Sequence, residues 1–340
     1  MTSIDRLIHH RLNRRRFVQA SAAATMGLPL ISRAGMAQEP LKIAFSVPSL
    51  GFPFFVHMMK LAKEHAAELN VELVPLDGQE GGQPSSTKQS ADLEAAVAQG
   101  VKGIVISPND ANALAPAIQA AIDAGVPVVT VDRNVTGATT LAHVGADNVE
   151  GGRLQGRYLI QILPDGGEIF ELQGQPGATP AIDRDKGLKE VLAGQDKIKI
   201  VFDQTALFRR DEAVKVMEAA LAAHPNPDAV VCANDDMAFG VIEVAEANNL
   251  KIPIIGFDAL PEALVAIRDG KMAATIEQFP GGQARGALDI IVAYLREGKQ
   301  PEQHDNYLTP ALITAENLGE AERAAEAGIV VATPEASPAA

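Results

Sequence analysis

Four clusters of polar side chains in this chain follow directly on short apolar runs. Asn109-Asp110 comes after residues 103–106, Asp132-Arg133-Asn134 after 126–131, Asn234-Asp235-Asp236 after 229–232, and Asp258 after 252–256. Carboxylates, amides and guanidinium groups set side by side accept and donate hydrogen bonds while their charges cancel, which suits hydroxyl groups. The same chain lacks the arrangements that do covalent or metal chemistry. Gly270-Lys271 and Gly298-Lys299 lack the Ser or Thr that would complete a phosphate loop, and there is no G-x-S-x-G, H-E-x-x-H or C-x-x-C. His57, His65, His143, His224 and His304 have no metal-ligand spacing to one another. Asp183-Arg184-Asp185-Lys186-Gly187 resembles a calcium loop only faintly, because Lys186 takes the place of an oxygen ligand. Asp235 and Asp236 are adjacent at a helix start and would point apart, so they do not form the opposed carboxylates of a glycoside hydrolase. Cys232 is the only cysteine, which excludes an intrachain disulfide and reads as core packing. These residues predict a binding protein with no enzyme activity, no metal and no cofactor.

The elements that must position the clusters alternate regularly. Apolar runs at 41–47, 71–76, 103–106, 126–131, 168–172, 198–202, 229–232, 252–256 and 273–276 are separated by longer stretches with helical spacing, such as 54–69, 90–99, 112–124 and 210–222. Strands of four to seven residues alternating with helices of ten or more indicate βαβ units and parallel sheets. Gly100, Gly125 and Asn249 close helices, while Pro127, Pro227 and Pro253 stand at the starts of strands. Nine strands are too many for one tidy sheet of this length, so two doubly wound sheets of four to six strands are expected. In such sheets a ligand lies at the carboxyl ends of the strands, which is where the four clusters fall.

The first 37 residues read as an export signal. Arg14-Arg15-Arg16-Phe17 precedes an uncharged, alanine-rich stretch to Ile31, and Gly35-Met36-Ala37 supplies small residues for cleavage. The arginine pair before Phe17 is similar to a twin-arginine signal, and the apolar run is too short to span a bilayer. The whole chain of 340 residues carries a formal charge of −14; without residues 1–37 there are 23 basic and 42 acidic residues, a net −19. Such a surface repels nucleic acid and anionic lipid. A soluble, exported monomer is expected, with residues 317–340 forming an Ala- and Glu-rich tail that is partly disordered after a short helix.

Between residues 41 and 313 a series of segments resembles the ribose-binding branch of the periplasmic sugar-binding proteins. They are SVPSLGFPFFV (46–56), ISPND (106–110), TVDRN (130–134), GADN..GG (145–152), ELQG (171–174), CANDDMAFG (232–240), GFD (256–258) and DGKMAATIEQ (269–278), all in the same order. The resemblance implies an α/β fold of two similar doubly wound parallel-sheet lobes joined by a three-segment hinge. It places one lobe at 41–146 plus 279–308 and the other at 147–278 plus 309–313. It also implies a role as the binding component of a carbohydrate ABC importer, delivering a monosaccharide or polyol to a membrane permease from the periplasm. On the matching positions Phe54 and Phe55 would cover one face of the sugar and Phe208 the other. Asp132 and Arg133 would bind hydroxyls from the first lobe, with Arg184, Asn234, Asp258 and Gln278 completing the set. Flat rings against C–H faces and charged groups around a hydroxyl rim are the chemistry a sugar needs.

Each of these positions also has a plainer reading. The phenylalanines could be core, Asp132-Arg133 a surface turn, Arg184 a solvated helix residue, Asn234 and Asp258 helix caps, and Gln278 a hinge spacer. Two positions leave the ribose pattern: Phe52 stands where that branch has Asn before Pro-Phe-Phe, and Ser107 where it has Asn before Pro. They are the expected specificity positions, and the ligand stays open among pentoses, deoxy sugars and linear or cyclic polyols. Three other functions compete. A repressor effector domain would need a DNA-binding N-terminus, an exported hydrolase would need paired carboxylates, and a receptor signalling to a membrane kinase or chemoreceptor would use the same closed lobes.

Overall fold

The computed structural model describes residues 41–330. The expected signal segment and the last ten residues of the expected tail lie outside the described residues. From its start the chain builds β1 (Leu41–Val47), α1 (Pro53–Glu68), β2 (Val71–Asp77), a small hairpin of β3 (Gln79–Glu80) and β4 (Gln83–Pro84), α2 (Ser86–Ala98), β5 (Gly103–Ile106), α3 (Ala115–Asp123), β6 (Val128–Val131) and β7 (Ala142–Ala146). There follow α4 (Asn148–Ile162), β8 (Gly167–Gln173), α5 (Thr179–Leu192), β9 (Ile198–Thr205), α6 (Arg210–Ala223), β10 (Ala229–Cys232), α7 (Asp235–Ala247), β11 (Ile254–Ile255), α8 (Pro261–Arg268) and β12 (Thr275–Glu277). The chain then forms α9 (Pro280–Glu297), β13 (Asp305–Leu308), β14 (Ala311–Ile313) and a 3₁₀ turn at Leu318–Glu320. Among the described residues no helix is long and apolar enough to cross a membrane.

Two parallel sheets result, of six and four strands. The first runs β13-β7-β6-β5-β1-β2 and the second β11-β10-β8-β9. The central strands are apolar on both faces because helices cover both: Ile43, Phe45 and Val105 face α1 and α9, while Ile104 and Ile106 face Leu93 of α2 and Ile118 of α3. Chain order reverses between β1 and β5 in the first sheet and between β8 and β10 in the second, and each reversal opens a crevice at the strands' carboxyl ends. A buried glutamine ties each crevice together. Gln89 donates to Ser46 Oγ (3.0 Å) and the Ser107 carbonyl (2.9 Å) and accepts from the Asn109 N–H (2.8 Å). Gln155 donates to the carbonyls of Cys232 (3.0 Å) and Gly256 (2.9 Å).

The chain passes between the two lobes three times: from β7 into α4, from β12 into α9, and from β13 into β14. The run at 273–276 leads from the second sheet into this hinge: Ala274 bridges Ile255 in parallel at the sheet's edge, and β12 pairs antiparallel to β14. Three further strands give no long apolar run: β7 carries His143 and Gly145, β13 is mostly polar, and β14 is only the three residues Ala311–Ile313. Residues 317–329 fold back across the hinge. Ala321 and Ala324 are buried beside Ala259, Leu264 and Ile313. Glu322 accepts from the Gly281 N–H (3.1 Å) and lies 3.1 Å from His57 Nε2, while its own N–H donates to Glu277 (2.8 Å). Where the sequence suggested a short helix the chain makes a single 3₁₀ turn and then packs in turns.

Candidate functional site

The first lobe offers its site residues from two strand ends. Phe52 closes the loop after β1, and Pro53 sets the first turn of α1. Phe54 and Phe55 therefore point about 100° apart. Both are buried, with ring centroids 5.2 Å apart in an edge-on arrangement, and Phe52 lies 6.3 Å from Phe55. Asp132 and Arg133 follow directly on β6, with Asp132 held in the left-handed region at φ 60°. Ser107 Oγ donates to Asp132 Oδ2 at 3.3 Å, and Arg133 Nε lies 3.9 Å from the same oxygen.

Close helix packing sets the second lobe's contribution. A side chain on Gly152 of α4 would overlap the Arg184 carbonyl, so glycine lets α4 and α5 approach and carries Arg184 inward. The Arg184 guanidinium lies 3.6 Å from the Phe257 ring centroid, and a side chain on Gly151 would strike that ring. Arg184 donates to Asn148 Oδ1 (2.8 Å) and the Ala233 carbonyl (2.5 Å), and lies 3.7 Å from Asp258. Asn234 caps α7 by accepting from the Met237 N–H (3.0 Å) and donates to the Phe208 carbonyl (3.3 Å). Asp258 accepts from Gln278 Nε2 at 2.6 Å. Phe208 (φ 60°) and Asp258 (φ 111°) are left-handed like Asp132. Three strained residues at one place mark a region where the backbone serves something other than its own stability.

All of these side chains converge. Phe52, Phe54, Phe55, Asp132, Arg133, Arg184, Phe208, Asn234, Asp258 and Gln278 line one cavity, together with Pro180. Arg133 sits between Phe55 (5.5 Å) and Phe208 (5.6 Å), so rings from both lobes flank the polar centre. Burial shapes the charges. It raises the Asp132 carboxyl, against the pull of Arg133 and Arg184. It pushes Asp258 up to about 8, with Arg184 opposing and Asp132 adding to the rise. It lowers Arg184 and takes Arg133 down to about 10. The cavity thus presents guanidinium donors beside carboxyl groups that burial makes easier to protonate, able to meet hydroxyls as donor or acceptor.

Comparison with known proteins gives this site a family. The family model described as "Periplasmic binding protein domain" matches residues 43–300. The chain belongs to the periplasmic binding protein family. As such it is a solute-binding protein and not an enzyme. It is 35% identical to the ribose import binding protein of Bacillus subtilis over 264 residues, covering 77% of this chain and 84% of that one. It is 30% identical to the D-apiose import binding protein of Paraburkholderia graminis, covering 88% and 95%. Among solved structures, a Caulobacter myo-inositol binding protein bound to myo-inositol superposes with a TM-score of 0.79 at 40% identity, covering 84% of this chain and 97% of that one. The two-lobed α/β fold read from the sequence is therefore the fold of this periplasmic binding protein.

One expected site residue is placed differently from the rest. Ser107 is fully buried, does not line the cavity, and touches it only through Asp132. Sequence reasoning also passed over Pro180, at the start of α5, and Gln175, whose amide contacts Arg133 (3.4 Å). Gln175 follows the ELQG segment by one residue, and its position after a strand was the signal available.

Proposed function

We propose that this protein captures a polyhydroxylated six-membered ring of the myo-inositol type in the interlobe cavity and presents it to the permease of an ABC importer. It is a substrate-binding protein for sugar or polyol import, as its relatives are described to be. The observation that carries the ligand choice is Phe52. It lines the cavity where the ribose pattern has an amide, while Ser107 is withdrawn behind Asp132. The first lobe thus offers rings and one Asp–Arg pair, and the remaining polar groups ring the edge from the second lobe. A cyclic polyol has apolar faces and a hydroxyl on every carbon of its rim, whereas a pentose ring leaves rim positions bare against buried polar groups. The 40% identity to a protein solved with myo-inositol supports the same reading. Calorimetry of the mature protein against myo-inositol, D-ribose, D-apiose and hexoses tests it. Tightest binding of myo-inositol is expected, and D-ribose binding more tightly would overturn the choice.

The lobes, taken as 41–146 plus 279–308 and 147–278 plus 309–313, close on this ligand as rigid bodies about the three crossings. A radius of gyration that stays the same on saturation with a bound ligand would contradict closure. The mature protein acts as a periplasmic monomer, exported on its twin-arginine signal. Replacing Arg14 and Arg15 together by Lys should retain it in the cytoplasm, and undiminished export would point to the general secretion route instead.

A further inference from the structure

The two lobes are joined at one rim of the cleft by a seam of direct hydrogen bonds outside the cavity lining. The loop 174–178 connects β8 to α5 in the second lobe. Gln175 on this loop donates through Nε2 to the Asn109 carbonyl (3.1 Å) and to Asn109 Oδ1 (2.8 Å), and its Oε1 accepts from Arg133 Nη1 (3.4 Å). Beside it, the Gly177 carbonyl accepts from the Ala111 N–H (3.0 Å), and Thr179 Oγ1 accepts from the Asn134 N–H (2.9 Å). The residues on the far side of each bond all belong to the first lobe.

That first-lobe side is built to receive the loop. Asn109 is buried, with its N–H held by Gln89 Oε1 (2.8 Å) and its Nδ2 donating to Ser86 Oγ (3.1 Å), which leaves Oδ1 free to face Gln175. Arg133 Nη1 is shared between the Asn109 carbonyl (3.1 Å) and Gln175. A guanidinium anchored along one edge has its other N–H groups aimed by that anchor, because the fork is planar. Half of the anchor on Arg133 comes from the opposite lobe.

We infer that Gln175 is a positioning residue for ligand binding: it acts through Arg133, fixing the guanidinium only when the second lobe arrives, so that lobe closure and alignment of Arg133 are one event. The inference rests on reading the cavity as the ligand site. Bonds that exist only in the closed state shift the open–closed equilibrium by their own differential free energy, with or without ligand. They slow release and leave the encounter step unchanged.

Stopped-flow binding of myo-inositol to Gln175→Ala and Gln175→Glu reads this directly. Losing these bonds in Gln175→Ala should speed release by about tenfold while the association rate stays the same. Gln175→Glu keeps an acceptor for Arg133 but cannot donate to Asn109, and it should restore release most of the way to wild type. A residue that served only as seam adhesive would show no such rescue. A second measurement needs no ligand. Spin labels on Glu94→Cys of α2 and Lys186→Cys of α5 report the lobe separation, and Gln175→Ala should move the ligand-free distribution toward longer distances. Unchanged release and an unchanged distance distribution in Gln175→Ala overturn the inference. Failure of the site reading is separate: it would show as wild-type affinity in a folded Arg184→Ala.

Discussion

The two lobes hold equivalent crevices with different chemistry. In the first, the groups buried at the strand ends are mostly neutral: Ser46, Ser107 and Asn109 are joined through Gln89, and Asp132 stands paired with Arg133. In the second, buried acids are more numerous. Asp235, fully buried, accepts from Thr275 Oγ1 (2.7 Å) and the Leu260 N–H (2.9 Å), and burial holds its carboxyl well above the usual range. Glu171 is buried with Oε2 lacking a hydrogen bond and 3.6 Å from Lys189; burial, with Asp185 adding, raises it to about 8. Asp258 belongs to the same lobe. A neutral network fixes loops at any pH, whereas buried acids make the loops they hold respond to protons. The second lobe should therefore carry most of the protein's pH sensitivity.

The largest expected effect removes a second-lobe charge from the cavity. Arg184→Ala or Asp258→Ala strips a partner from a desolvated set and should cost about 2–4 kcal/mol of binding, some 30- to 1,000-fold, read by calorimetry. Wild-type affinity in both folded variants would place the ligand elsewhere. Next comes the neutral network. Gln89→Leu leaves the Ser107 carbonyl and the Asn109 N–H without their partner and should destabilise the fold by about 3 kcal/mol, by the same amount at pH 5 and pH 8. A strong pH dependence of that loss would erase the contrast between the lobes. Glu171→Gln tests the other half. Because the folded pKa of Glu171 stands above its ordinary 4.5, the stability it contributes is full below that value and lost as pH rises through about 8. The variant should therefore be more stable than wild type at pH 8 and equal to it near pH 4.5, measured by denaturant unfolding. Equal stabilities at both pH values would show that the Glu171 carboxylate is already satisfied by Lys189. The smallest effect lies in selectivity. Phe52→Asn or Ser107→Asn should change the ratio of myo-inositol to D-ribose affinity by about tenfold, one bond's worth, with the folded stability little altered. An unchanged ratio would mean that neither position selects the ligand.

Most of the parallel framework was legible because buried strands announce themselves as unbroken apolar runs. The strands that escaped, β7 and β13, sit toward one edge of the first sheet: AHVGA is buried throughout but interrupted by His143 and Gly145, and DNYL alternates exposed and half-buried residues. The site was legible through family segments, and also through the plain rule that polar clusters at strand ends face a ligand. Spacing could not reveal the dual use of Asn234, which caps α7 and lines the cavity with one side chain. Nor could it reveal that Ser107 reaches the cavity only through Asp132, or that Gln175 meets Arg133 across the cleft. Each depends on how two distant loops meet, which no local pattern encodes.

The threefold crossing of the hinge also fixes the order in which the molecule can be finished. The second lobe's parallel strands are all present once Ile255 has been made, and its contacts are local. The first lobe begins earlier yet still lacks α9, whose Ala284, Ala287, Leu288 and Ile291 are fully buried, and β13, whose residues 305–308 must pair with residues 143–146 of β7. Until both arrive, β7 is an open edge and one face of the sheet is uncovered, the kind of long-range closure that slows folding and exposes sticky surface. In pulse-labelled refolding the amides of β8 and β10 should gain protection before those of β6 and β7. The half of the protein that leaves the ribosome first is the half that waits longest for its core.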